Sequence, residues 1–190
     1  GWRLDVADEV SHSLWRELRL KLKAFNPDVL IIGEVWNHAG AWLRGDEFDT
    51  VTNYKLRSAL LSFAGGHTDS AAFWQAVAAN RMRYMTPFYQ YLLSFAGTHD
   101  TVRARTALGD EQLFLLTLAA VLTLDGIPLI YYGDEVGMEG GEDPDNRRCM
   151  RWDLTDSPLA REIRALSNFR AQSPVLRFGS MEPVPAGDRV

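Results

Sequence analysis

Only one cysteine, Cys149, stands in the 190 residues, so no internal disulfide can form and no cysteine-based metal cluster can be built. Charge of one sign is also scarce. Twenty basic residues face 25 acidic ones, a net −5 spread without long runs, and that leaves no electrostatic footprint for nucleic acid or an anionic membrane. No hydrophobic run reaches bilayer length, and no secretory signal pattern is recognisable. Low-complexity stretches and linker-like shifts in composition are missing as well. What remains is 46% hydrophobic and 24% charged, the make-up of an ordinary globular chain that can bury one good core. These absences leave the compartment open.

Apolar runs and helical stripes alternate along the chain. Residues 1–7 read as a strand, with Arg3 and Asp5 on one face and Trp2, Leu4 and Val6 on the other. Residues 11–25 carry a helical stripe of Leu14, Leu18, Leu22 and Phe25, with Ser11 or Ser13 as cap and Asn26-Pro27 as stop. Residues 29–36 form a near-continuous apolar run, the pattern of a strand buried on both faces. A loop follows to Thr50, with a short strand expected at 48–51. Helices are expected at 54–64, 70–84, 111–124 and 158–172, and strands at 91–96 and 128–132. Gly65-Gly66 stops the first of these helices and Pro158 suits the first turn of the last. The alternation predicts an α/β fold with a mainly parallel sheet of about five strands, too few for a closed eight-stranded barrel.

Charged groups cluster at the strand ends. The first strand carries Arg3 and Asp5, the second Glu34; the third runs into His99 and Asp100, and the last into Asp134 and Glu135. Each has an ordinary alternative. Arg3 and Asp5 could be a structural ion pair, Glu34 an isolated loop acid, and Asp100 the cap of a following helix. Asp134 and Glu135 read as a helical turn or a loop anchor without chemistry. In α/β barrels the C-terminal ends of the strands build the active site, so Asp5, Glu34 and Asp100 are expected to converge. Converging carboxyls suit cleavage of a glycosidic bond, which needs a proton donor and a carboxylate facing the anomeric carbon. An arginine beside a carboxylate favours the ionised form a nucleophile requires, which favours Asp5. Partial burial between Ile32 and Trp36 suits Glu34 to proton donation. Asp100 is left to bind sugar hydroxyls, and Trp36 to stack on a sugar face.

Residues 1–7 (Gly-Trp-Arg-Leu-Asp-Val-Ala), 33–36 (Gly-Glu-Val-Trp) and 97–101 (Gly-Thr-His-Asp-Thr) resemble, in order, three signature regions of the alpha-amylase family of glycoside hydrolases. Residues 52–54 and 127–135 resemble further segments of that family. The loop 140–148, with Val6 to Glu9, is similar to the neopullulanase, cyclomaltodextrinase and maltogenic amylase branch. The resemblance implies Asp5 as nucleophile, Glu34 as acid/base and Asp100 as stabiliser of the transition state. It also implies Arg3 orienting Asp5, His99 binding sugar hydroxyls, and Asp143 and Arg147 contacting a donor-side sugar. The implied substrates are α-glucan oligosaccharides (cyclodextrins, pullulan or maltooligosaccharides), cleaved with retention. No cofactor is implied, and no metal, because the calcium sites of many relatives lie outside this stretch. Asp8, Ser11 and Lys55 depart from the branch, which has Asn, Asp and Pro there, and they leave linkage preference open.

The resemblance further implies a partial (β/α)8 TIM barrel, about strands four to eight with their helices. Residues 1–190 are then expected to be the C-terminal half of one catalytic domain, with no separate second domain. An open half barrel has free sheet edges, so a homo-oligomer through those edges is expected of the isolated chain, and the isolated chain is expected to be inactive. Two readings stand beside hydrolysis: a non-catalytic, self-associating fragment with weak sugar binding, and a glucan transferase.

Overall fold

A computed structural model describes residues 1–85 and 88–184. Five short strands run parallel: β1 (Trp2–Leu4), β2 (Ile31–Gly33), β3 (Thr50–Val51), β4 (Leu93–Ser94) and β5 (Ile127–Pro128). Trp2 pairs with Ile31 and Leu4 with Gly33, Gly33 in turn with Val51, and Leu93 with Ile127. A parallel bridge from Thr52 to Leu93 joins the two sets, so the strands follow one another in chain order as a single arc. Because all are parallel, every C-terminal end lies on one rim, and residues 5, 34, 52–54, 95–100 and 129 onward leave the arc on that side.

Helices α1 (His12–Phe25), α2 (Tyr54–Ala64), α3 (Ser70–Arg81), α4 (Ala104–Leu108), α5 (Glu111–Thr123), α6 (Pro158–Gln172) and α7 (Pro174–Phe178) accompany the strands. Their starts follow local chemistry. Asp110 accepts from the Leu113 amide at 2.8 Å, and Ser157 from Ala160 at 3.2 Å just before Pro158. Ser11 occupies the cap position of α1 in extended backbone, but its hydroxyl meets Ser13 instead of the helix amides. Between β2 and β3 the chain returns without an α-helix, as the glycine- and aspartate-rich composition of that stretch implies.

Two apolar clusters hold the layers. Trp15 of α1 packs edge-on against Phe48 with Ile31, Val35, Val51 and Leu92. Leu56, Phe73, Phe114, Leu118, Val121 and Ile163 join helices α2, α3, α5 and α6. A fully buried aliphatic side chain contributes about 1.5–3 kcal/mol relative to exposure, so these stripes dominate the energetics.

Several boundaries shift from expectation. The last strand lies at 127–128 instead of 128–132, because Tyr131 and Tyr132 leave the sheet to pack on Arg103. Helix α3 ends at Arg81 instead of residue 84, and Tyr84 buries in the cluster around Trp15. The five-residue helices α4 and α7 are too short to show a periodic stripe. Alternation along β1 stops at Leu4: Val6 adopts a left-handed conformation, φ 44°, which a β-branched residue rarely takes.

Candidate active site

The side chain of Arg3 is the hub of the rim. Its Nη1 bonds Asp5, its Nη2 lies 2.8 Å from Glu34 Oε1, and the same nitrogen lies 3.8 Å from Asp100 Oδ2. Three acids from three strands therefore meet one guanidinium, as the strand-end argument requires. Arg3 thus forms a close pair with Glu34 as well as with Asp5. Two of the ordinary alternatives do not fit the geometry. Glu34 is only 3% exposed and is no isolated loop acid, and Asp100 caps nothing, since α4 begins after Arg103 without a side-chain cap.

The local backbone explains how Glu34 is held. Gly33 must be glycine, because a Cβ there would lie 2.3 Å from the Phe48 ring. Beyond it, the amide of Glu34 donates to Leu4 O at 2.9 Å, and Val6 N donates to Glu34 Oε2 at 2.9 Å. The left-handed Val6 thus turns its N–H onto the carboxylate. Strain of about 1–3 kcal/mol at such a residue persists only where the surroundings over-determine it. Asp5 contrasts with Glu34, its side chain being 74% exposed. Two carboxyls on one fork, one wet and one dry, are environments that suit different roles in proton and bond transfer.

Trp36 stacks on Tyr54, rings 3.9 Å apart and 8° from parallel, so one face of the half-exposed indole remains open. Tyr54 packs edge-on against Phe95, and its hydroxyl lies 3.5 Å from Glu34 Oε1. Burial pushes that phenol up to about 12, with Thr98 and Arg3 opposing and the charges of Glu34 and Asp100 adding. Tyr54 therefore starts α2, as its helical pattern implies, and also stands beside Glu34, although it is not among the site residues expected from the sequence.

His99 Nε2 is 3.0 Å from Asp100 Oδ2, and Arg147 Nη2 is 3.2 Å from Asp100 Oδ1. Arg147 also holds Asp143 at 2.7 Å, so these two loop residues join the cluster through Asp100. Beneath them lies a buried ion pair, Arg103 with Asp134 at 3.1 Å. Burial pushes Asp134 up to about 7 despite the guanidinium. Arg103 and Asp134 stand 31 residues apart, and no local pattern links them in the sequence. Among the described residues, no group of three His, Cys, Asp or Glu side chains is placed to hold a metal ion.

Residues 1–163 match the model of the Alpha-amylase family, described as the alpha amylase catalytic domain. The cyclomaltodextrinase of Geobacillus thermopakistaniensis is 41% identical over 198 residues, covering 100% of this chain and 33% of that protein. Neopullulanase 2 of Thermoactinomyces vulgaris is 46% identical over 155 residues, 80% of this chain and 26% of that one. Among solved structures, the ligand-free cyclic alpha-maltosyl-(1-->6)-maltose hydrolase from Arthrobacter globiformis superposes with a TM-score of 0.93 at 36% identity. It covers 99% of this chain and 44% of that one. The chain spans about a third of the length of the curated relatives it matches.

Proposed function

Because this chain belongs to the alpha-amylase family, we propose that it supplies the catalytic carboxyls of a retaining glycoside hydrolase acting on α-glucosidic bonds. Cyclodextrins, maltooligosaccharides and pullulan are the substrates favoured by what its relatives are named for. In this reading the five parallel strands are about strands four to eight of a (β/α)8 barrel, and residues 1–190 are the C-terminal half of that one domain.

The observation that carries the reading is the shared guanidinium of Arg3. Asp5 and Glu34 are held on neighbouring nitrogens of one fork, which supports a retaining mechanism, for which the two carboxyls must stand about 5–5.5 Å apart. Exposed Asp5 attacks the anomeric carbon and forms the glycosyl ester. Glu34 donates its proton to the departing glycosidic oxygen. The Glu34 carboxylate then takes a proton from water, the water oxygen bonds to the anomeric carbon, and Asp5 leaves as carboxylate. Asp100, oriented by His99 and Arg147, binds sugar hydroxyls on the distorted ring. The open face of Trp36 stacks on a sugar, and Asp143 with Arg147 lines the donor side.

The test is Glu34→Gln in the full-length protein that carries this chain. Hydrolysis of cyclodextrin and maltotriose falls by at least about 10²–10⁴, the usual contribution of a general acid/base; unchanged turnover would refute the assignment. A second reading concerns this stretch taken alone: Trp2 is 57% exposed on edge strand β1, which favours self-association. A native mass equal to one chain at micromolar concentration would rule that out.

A further inference from the structure

Asn146 touches none of the three acids, yet with Arg103 it is among the most enclosed polar side chains near them. It is 0% exposed, in a short turn (Asp145–Arg147) of the loop after β5. Its Nδ2 donates to His99 O at 2.7 Å and to Thr101 O at 2.9 Å. Two carbonyl partners fix which end of the amide is nitrogen. Its backbone carbonyl accepts from Arg103 Nε at 3.0 Å and Tyr131 Oη at 3.3 Å. The residue is therefore anchored below by the buried Arg103–Asp134 pair and clamps, above, the backbone carbonyls of the two residues that flank Asp100. Its neighbour Arg147 completes the grip, donating to His99 O at 3.1 Å and to Asp100 Oδ1 at 3.2 Å.

We propose that Asn146 is a positioning residue for the reaction: its amide clamps the His99 and Thr101 carbonyls and so sets where Asp100 stands against Arg3 and a bound sugar. The proposal rests on the role given to Asp100 above. Geometry makes it specific. Asp100 follows β4 in a turn whose backbone bonds are few: Asp100 N reaches Thr98 Oγ1 at only 3.3 Å, and Thr101 N reaches Thr98 O at 3.3 Å. Thr98 N also donates to Thr101 Oγ1 at 3.0 Å, but the two shortest bonds to the turn come from Asn146. Its two donors act on peptides, so the effect on substrate passes through Asp100 and is felt where sugar hydroxyls bind more tightly in the transition state than in the ground state.

Asn146→Asp keeps the shape and replaces both donors by acceptors facing two carbonyl oxygens. In the full-length protein, with rates referred to folded enzyme by circular dichroism at assay temperature, kcat for maltotriose falls about 100-fold while KM stays within about threefold. Affinity for the transition-state mimic acarbose falls by the same factor as kcat/KM, a correlation that a purely structural defect does not produce. Should Asn146→Asp not fold, Asn146→Ser is read by the same criteria, because it removes the reach of the amide without adding charge. Unchanged kcat per folded enzyme, or a loss confined to KM with acarbose affinity intact, overturns the proposal. Asp100→Asn separates the two levels. If that variant retains full turnover, the functional reading fails; if it is inactive while Asn146→Asp is not, only the positioning role fails.

Discussion

The guanidinium of Arg3 and the buried carboxylate of Glu34 meet at 2.8 Å across neighbouring strands, while the same guanidinium also holds Asp5. The register that pairs Arg3 with Ile32 brings this about, since it sets Glu34 just beyond the end of β1. One planar fork thus organises an exposed and a buried acid, which a point charge could not do.

Arg3→Lys tests that geometry. The ammonium keeps the charge but cannot span both carboxylates, and losing one charge-assisted bond at about 1.5–3 kcal/mol corresponds to about a 10- to 100-fold loss of kcat/KM. Steady-state kinetics on maltotriose would show it. Activity equal to the parent would mean that the fork is dispensable.

Gly33→Ala probes the approach of β2 to Phe48. The added methyl meets the ring at 2.3 Å, and Phe48 is itself fully buried against Trp15. Overpacking of this kind costs about 1–3 kcal/mol, and the displacement falls next to Glu34. A lowered melting temperature together with reduced turnover is the expected pair of results.

Tyr54→Phe preserves both ring contacts, on Trp36 and on Phe95, and removes only the hydroxyl near Glu34. Stability changes by about 1 kcal/mol or less. Since the Tyr54 phenol is pushed up to about 12, the absorbance titration between pH 9 and 11 is the same in parent and variant. A lost titration step in that range would place Tyr54 in a wetter setting than the structure does.

Asp134 predicts a slope of stability with pH. Its unfolded value is near 3.9, and burial pushes the folded group to about 7, so between these values the folded state binds more protons than the unfolded one. Stability contributed by this group is therefore full below about pH 4 and is lost as pH rises towards 7. Asp134→Asn cannot titrate, so melting temperatures of the parent relative to the variant should decline from pH 4.5 to 7.5. A flat difference would show that Arg103 holds Asp134 ionised throughout.

The sequence alone determined the elements whose causes are local. The stripe Leu14, Leu18, Leu22 located α1, and Pro158 and Gly65 marked helix ends to the residue. The apolar run 29–36 located β2, and the order of Asp5, Glu34 and Asp100 at the ends of three strands pointed to one rim. What sequence could not contain is which groups face each other across that rim. Arg3 reaching Glu34, Tyr54 closing between Trp36 and Phe95, Arg103 burying with Asp134, and Asn146 clamping the turn around Asp100 each join residues 18 to 47 positions apart. Those distances are closed by strand register and by packing around Phe48 and the Arg103 pair. A helix or strand follows from the neighbours of a residue along the chain; a contact between strand ends follows only once every strand has found its place.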